Sequence, residues 1–491
     1  METITLKENA LLLEKHIEKV KGQFTLNDAA AITGVAVEQA RESLNELMSK
    51  YICHLQVSEN GDLIYDFGSS PTRRGEKSFA EILDGIKNWL WKAFKIFFKA
   101  WITVTLVVYF VIFVLLLIAI IIGLTAANKD DDRKSSGGGA MFRLIGDVFY
   151  AIFRWNTITG GTYYQKDQYG QPYKHYKPIE SQIFKTNSTD PKAKKNFISA
   201  VYDFVFGPPR VEIEPFENQK EVAAYARQNK GVMILPEFKA LAGWNNDEAQ
   251  EFMTDCIGRF NGSAEISPNA VLYADFYDLT RSKTQAQDGK IEWYWNEYEP
   301  EYELTGNTTG KNAGVIAMNA FNLIFASLCL VDGIDTIYNG KVGLFTEMIE
   351  PYVVLYGLGV VPFLFSTIFF LVPVLRYFSL IPKRNKRRLN NIKKRLVKVI
   401  YQQGVSKDLS LDEIVSQVNQ GDVEKLSKPE VQSMMSKLII DWGGEAIPQD
   451  DGTVRYQFIQ LREELQEIRN IRATRDGKSD LGNIYMDTGK L

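Results

Sequence analysis

The strongest pattern along the chain is one uninterrupted apolar run. Residues 100–127, AWITVTLVVYFVIFVLLLIAIIIGLTAA, give 28 positions without a charge, and about 20 apolar residues suffice to cross a bilayer core. The run predicts a transmembrane helix. A second span is expected over 352–376, where YVVLYGLGVVPFLFSTIFFLVPVL carries Pro362 and Pro373; proline is tolerated in a membrane helix when neighbours repair the lost backbone bonds. A third, less apolar segment over 314–338 carries Asn319 and Asn322. Three apart on a helix, the two amides share a face and suit a helix–helix contact within a bundle.

The charges around these runs set an orientation. Seven basic residues lie between Arg73 and Lys99, and ten between Arg376 and Lys398, so both flanks are expected on the cytoplasmic side. Lys92, Lys95, Lys99, Arg384, Arg387, Arg388, Lys393 and Lys394 are the residues expected at the membrane surface. Residues 77–99 interleave Trp89, Trp91, Phe94 and Phe97 with lysines, which predicts an amphipathic helix at headgroup level; a plain helical extension of the span is the competing reading. Three spans would leave the two ends on opposite sides. Either the segment over 314–338 does not cross, or another, such as 141–155, enters the membrane. The first twenty residues carry acids throughout and no continuous apolar stretch, so the first span is expected to act as an internal signal-anchor.

Between the apolar runs a helical pattern recurs three times, with apolar residues at i, i+4, i+7, i+8 and i+11. It reads Ala40, Leu44, Leu47, Met48, Tyr51, then Ala249, Met253, Cys256, Ile257, Phe260, then Val431, Met435, Leu438, Ile439, Trp442. Each copy leads to a strand bearing a tyrosine, Tyr65, Tyr273 or Tyr456, at 25, 24 and 25 residues from the first helical position. Asn60-Gly61, Pro268-Asn269 and Asp451-Gly452 precede these strands as turn signals. Another helix and a turn come before each copy, and in the second Asn245 or Asn246 can cap the following helix. Helix, helix-turn-helix and a two-stranded wing form the winged-helix arrangement, expected at 8–68, 217–280 and 386–460. The fold class that follows is an α-helical membrane protein with α+β soluble modules, three winged-helix domains around two to four transmembrane helices. The remaining segments are a linker with aromatic-rich stretches over 128–216, a strand-like connector over 281–313, and a disordered tail over 475–491.

Winged helices invite a DNA-binding reading, and the charges oppose it. Basic and acidic residues number 6 and 11 in 1–67, 5 and 9 in 218–280, and 7 and 13 in 404–470. A duplex reader needs Arg or Lys for phosphates and base edges. The exposed positions of the would-be recognition helices are instead Glu38, Glu42 and Glu46, and Asp247, Glu248 and Glu251. These are the expected interaction faces for a protein partner or for self-association. The whole chain is nearly balanced, with 57 basic and 60 acidic residues.

No reaction is written in the sequence. Cys53, Cys256 and Cys329 and the histidines His16, His54 and His175 are scattered, with no Cys-x-x-Cys and no paired histidines, so neither a metal site nor another cofactor is expected. Neither a Gly-rich phosphate loop nor a supported nucleophile set occurs. The aromatic stretches YYQKDQYGQPYKHY (163–176) and WYWNEYEPEY (293–302) read as satellite apolar clusters before ligand platforms. Asp130 to Asp132 with the run 135–139 read as flexible linker.

The order of parts, with ISAVYDFVFG (198–207), FLVPVLRYF (370–378) and the first wing strand, resembles a cyanobacterial and plant-chloroplast membrane protein family. That family is sometimes labelled iron-sulfur cluster biosynthesis family protein. The resemblance covers most of residues 10–400 and implies a membrane location with no established reaction or catalytic residues. The iron-sulfur label finds no ligand set here. Lacking a transit peptide, the chain is expected in a bacterial cytoplasmic membrane, with both terminal modules cytoplasmic. The expected role is a non-enzymatic scaffold or assembly factor. Transport or lipid handling through Asn319, Asn322, Gly357, Gly359 and the prolines is the alternative, and a membrane-tethered DNA-binding regulator the third.

Overall fold

A computed structural model describes residues 6–17, 23–68, 71–75, 79–127, 196–208, 216–282, 291–296, 301–420, 424–450, 452–475 and 481–489. The readings made for 130–132, 135–139, 141–155 and 163–176 lie outside these residues.

One element order occurs three times: helix, short strand, helix, helix, hairpin. In module 1 it runs α1 (Leu6–Ile17), β1 (Gln23–Thr25), α2 (Leu26–Thr33), α3 (Val37–Lys50), β2 (His54–Ser58) and β3 (Leu63–Asp66). Then comes α4 (Phe79–Ala127), followed by α5 (Phe197–Phe206). Module 2 comprises α6 (Glu217–Gln228), β4 (Val232–Ile234), α7 (Leu235–Ala242), α8 (Asn246–Arg259), β5 (Ser263–Ile266) and β6 (Leu272–Asp275), with a short helix α9 (Tyr277–Thr280) after it. α10 (Thr309–Asn339) and α11 (Val353–Gly404) follow. Module 3 takes the end of α11 as its first helix and continues with β7 (Leu409–Ser410), α12 (Leu411–Val418), α13 (Lys428–Asp441), β8 (Glu445–Pro448) and β9 (Val454–Gln457). α14 (Ile459–Thr474) and β10 (Ile484–Asp487) close the described chain.

In each module the hairpin's second strand lies between the other two, all antiparallel. Tyr65 and Tyr456 hold equivalent ladder positions, opposite Phe24 and Leu409, but in module 2 that position is taken by Ala274, opposite Met233, and Tyr273 stands one step away on the other face. The helical pattern is likewise core: Ala40, Leu44 and Leu47, then Ala249, Met253 and Cys256, then Val431, Met435 and Leu438 are all buried. Gly61 and Gly452 turn their hairpins with φ of 81° and 78°, values at which a side chain would be strained.

The second helix of every module opens on the same device. Thr25 with Asp28, the Ile234 backbone with Glu237, and Ser410 with Glu413 place a carboxylate at the third helical position that returns to the cap N–H. In module 3 the hydrogen bond from Lys407 and those from Ser410 pull the Glu413 carboxyl down to about 2, and Ser427 with Arg388 does the same for Glu430. A carboxyl depressed in the fold stabilises it above its unfolded value and loses that contribution as pH falls. Module 3 is therefore expected to weaken as pH drops from about 4.5 towards about 2. Ser410→Ala with Ser427→Ala should flatten that slope in urea titrations at stepped pH; an unchanged slope would refute the assignment.

Among the described residues three helices are long and apolar enough to cross a membrane, Gly85–Gly123, Thr309–Asn339 and Val353–Gly404. They correct several sequence boundaries. The expected interfacial segment 77–99 is continuous with the span as α4, whose 49 residues extend about 73 Å at 1.5 Å per residue. Its N-terminal stretch up to Phe97 is largely exposed, with Phe79, Trp89 and Phe97 at 75%, 66% and 62% exposure. The span after Glu350 and the basic helix after Arg376 likewise fuse into α11, which accommodates Pro373 and Pro382 without a break. Part of the expected linker is helical too: Asn196 caps α5, whose apolar face joins Leu106, Phe110, Val315, Met318 and Phe369 in one bundle core.

Within the bundle α10 is pinned on both sides. The Asn319 side chain donates to the Ser366 carbonyl at 3.0 Å, and Asn322 donates to the Leu106 carbonyl at 2.9 Å. Interhelical bonds of this kind contribute modestly in membranes. Asn319→Leu and Asn322→Leu are each expected to lower stability in detergent by about 0.6 kcal/mol, measured by thermal unfolding; a loss several times larger would mean the seam has another role.

The modules are not separate beads. Module 1 and module 2 share one core through Val35, Leu44, Val222, Met233 and Phe276, and module 2 meets module 3 in another through Ile234, Trp295, Leu396 and Phe458. The connector over 281–313 forms no strand among its described residues, against expectation. Its backbone carbonyls go elsewhere: Arg376 donates to those of Leu304 and Glu303, and Arg384 to that of Tyr302. Trp293 and Trp295 stack at 5.1 Å and both pack against Tyr401, as a buried apolar cluster between modules 2 and 3.

The tail also departs from expectation. Residues 484–487 form β10, which pairs with β2 of module 1 and makes a four-stranded sheet in the order β1-β3-β2-β10. The pairing rests on backbone and polar contacts, which leave no hydrophobic pattern in the sequence.

Candidate interaction surface

Two carboxylates at the repeated capping position hold the modules together. Asp28, fully buried, receives Arg227 of α6 at 2.7 Å. Glu237, 1% exposed, receives both arms of Arg472 of α14 at 2.8 and 2.7 Å, together with the Tyr225 hydroxyl at 2.7 Å. Burial and then the adjacent Glu237 charge push the Tyr225 hydroxyl upward, so it remains a donor. Arg475 grips Asp275 through two 2.7 Å bonds, and Arg281 reaches Asp62 at 2.6 Å. These pairs fix how the third helices of neighbouring modules face each other.

An open groove of about 790 Å³ results between α3 and α8, lined by Ala36, Gln39, Gln250, Glu251, Thr254, Asp255, Gly258 and Arg259. Asp255 is committed to Arg259 by two 3.0 Å bonds. Glu251 is exposed in the groove wall and has no hydrogen bond or ion pair among the described residues. The groove exposes more apolar than polar surface, with the Gln39 and Gln250 amides on opposite walls and the Glu251 carboxylate in one of them. It offers acceptors and donors to an extended or helical segment rather than a closed cavity for a small molecule.

The other expected interaction residues are placed as follows. Glu42, Asp247 and Glu248 are exposed, with Glu248 bonded to the Asn245 N–H as a cap. Glu38 pairs with Arg41 and Glu46 with Lys50. Asn319 and Asn322 sit fully buried between spans. Of the expected membrane-surface cations, Lys92 is exposed, Lys95 lies over the Trp91 ring and Lys99 over Tyr202. Arg387 is half-buried, while Arg388 bridges Glu424 and Glu430. Lys393 donates to the Gly243 carbonyl and Lys394 is buried over the Tyr294 ring. Lys393 and Lys394 thus serve the junction of modules 2 and 3 instead of a membrane surface, because α11 runs on into module 3.

The three cysteines are buried and free. Burial pushes the Cys53 thiol up to about 11 and raises that of Cys256 as well, so neither is poised as a thiolate. Among the described residues no group of three or more His, Cys, Asp or Glu could hold a metal ion. No family model, curated protein or solved structure matches this chain.

Sequence reasoning overlooked Arg227, Arg472 and Arg475. A signal for α14 was present, since Leu461, Leu465, Ile468 and Ile471 recur at helical spacing and the first three are buried. Nothing in the sequence marks which carboxylate those arginines reach.

Proposed function

We propose that the chain is a non-enzymatic integral membrane scaffold or assembly factor, with three winged-helix-type modules that hold a protein partner, or further copies of itself, against one membrane face. The observation carrying this reading is the open groove between α3 and α8, with the Glu251 carboxylate exposed in its wall. The element order of the modules supports the winged-helix assignment. Their excess of acidic residues favours a basic protein segment over nucleic acid. The resemblance noted in the sequence adds a membrane location and no activity.

All three modules share cores, so they occupy one side, and the basic flanks favour the cytoplasmic side of a bacterial inner membrane. α4 leaves that side, and α10 and α11 together leave and return. Lipids are the expected partners of the exposed first half of α4, whose Trp, Phe and Lys suit headgroup level.

The test is purification from mild detergent with mass spectrometry of co-eluting proteins and lipids, for wild type and for Glu42→Lys with Glu251→Lys. A stoichiometric partner lost severalfold in the variant, more steeply at low salt, is the expected result. A partner retained unchanged would defeat the groove assignment. Transport or lipid handling has one observation in its favour: Asn319 Oδ1, Asn322 Oδ1 and Ser366 Oγ are buried without a protein partner. A lone homo-oligomer carrying one defined lipid would favour it.

A further inference from the structure

The C-terminal strand joins the two ends of the chain in an unusual way. β10 runs antiparallel to β2, with Ile484 opposite Ser58, Met486 opposite Val57 and Asp487 opposite Gln56. Both ends of the segment are fastened by specific polar contacts. At the first, Asn483 takes the Glu59 N–H on its carbonyl at 2.9 Å and gives its own N–H and side-chain amide to the Glu59 carboxylate, each at 3.2 Å. At the other, Thr488 donates its N–H to the Leu55 carbonyl at 3.0 Å while its hydroxyl accepts the Leu55 N–H at 2.8 Å. Gln56 adds a bond to Asp487 at 3.2 Å.

The middle of the segment behaves differently. Ile484, Tyr485 and Met486 remain 44%, 81% and 50% exposed. Docking therefore buries Leu481 at the head of the segment but little of the strand's own apolar surface, and much of its stability comes from the hydrogen bonds at the two ends against the ordering of the segment. Such a strand is specified by its partner edge yet bound weakly enough to leave it. A long edge with an exposed apolar row is also the kind of surface on which chains pair. Exchange of one element between identical copies keeps every contact and changes only which molecule supplies it.

We propose that the outer edge of β2 is a strand-docking site whose ligand is segment 481–489, filled in cis in this structure and open in trans to the same segment of a second copy. β10 would then be the self-assembly element of the chain. The proposal deepens the scaffold reading and rests on it only for the use made of self-association.

The probe is a fluorescent peptide with the sequence of residues 481–489, titrated in detergent against the full chain and against a chain ending at residue 480. The shortened chain is expected to bind it saturably. The full chain should bind about tenfold or more weakly, because its tethered tail competes at an effective concentration near the millimolar range. Glu59→Ala in the shortened chain should weaken binding severalfold. Absence of binding by a shortened chain that keeps the parent's thermal transition and protease pattern would overturn the proposal, as would equal, Glu59-independent binding to both chains.

If shortening prevents folding, Thr488→Pro in the full chain opens the same edge by removing the N–H donor and the hydroxyl together. That variant must then capture the peptide, and failure to do so has the same meaning. For the trans arm, differently tagged full chains should co-purify after prolonged mixing and cease to do so with Thr488→Pro; chains that stay monomeric while the peptide binds would remove the second-copy occupant. Glu251→Lys lies on another helix and is expected to leave peptide capture intact, so failure here and failure of the groove assignment are distinguishable.

Discussion

Arg472→Ala is expected to destabilise the protein by about 3–5 kcal/mol, the range for removing one partner of a buried ion pair. Glu237 is 1% exposed and would be left with only the Tyr225 hydroxyl and the Ile234 N–H as partners. Arg472 also donates to the Val232 carbonyl at 2.6 Å, so the change removes the tie between α14 and β4 as well. The loss should appear as a lower thermal transition in detergent and as early protease cleavage within α14. Arg472→Lys should recover only part, since one ammonium cannot reproduce the two-armed grip on a carboxylate. A loss below about 1 kcal/mol would place the pair among surface ion pairs and refute its role as the junction of modules 2 and 3.

Gly333→Val is the second large expected effect. A Cβ on Gly333 would lie 2.7 Å from the Leu355 Cα, and one on Gly359 would lie 2.9 Å from the Leu330 Cα. The two glycines therefore face backbone across the α10–α11 contact, where no side-chain rotation can make room. Small residues allow membrane helices to approach this closely. Overpacking typically costs about 1–3 kcal/mol, and a rigid β-branched side chain against backbone belongs at the upper end. The variant should unfold at lower temperature and extract poorly, whereas Gly357→Ala, whose Cβ meets only a Val353 methyl at 3.7 Å, should be neutral. If Gly333→Val proves as stable as wild type, the helices are not packed along this line. The same contact places Gly359 in helix packing, apart from any lining of a path.

The kinds of residue that were legible in advance share one property: their signal is local and periodic. Ala40, Leu44 and Leu47 and their two counterpart sets show the helical period, and their hairpins show turn dipeptides, so the three modules could be aligned by counting. The apolar runs at 100–127, 314–338 and 352–376 announced three long apolar helices by their length. What failed were junctions. The helix over 77–99 and the basic stretch after Arg376 read as separate elements because composition changes at a membrane boundary, although backbone hydrogen bonding does not.

Among the interaction residues, exposure was readable and commitment was not. Glu38, Glu42 and Glu46 look alike in the sequence, yet two of them face a cation one turn away. Glu251 gained its place in a groove wall only because module 1 lies beside module 2. Lys393 and Lys394 look like membrane-surface lysines beside Arg387, and continuation of α11 into module 3 makes them junction residues instead.

By itself the sequence determined the long apolar helices, the threefold repeat and the acidic character of the modules. Each follows from the hydrophobic period or the charge of a contiguous stretch. Only the tertiary structure decided the pairing of Asp28 with Arg227 and Glu237 with Arg472, the groove between α3 and α8, and the docking of β10 on β2. Those contacts join groups about 200 to more than 400 residues apart through a few directional bonds each. Such bonds impose no periodicity on the chain, so they become visible only when the shared cores bring the modules together.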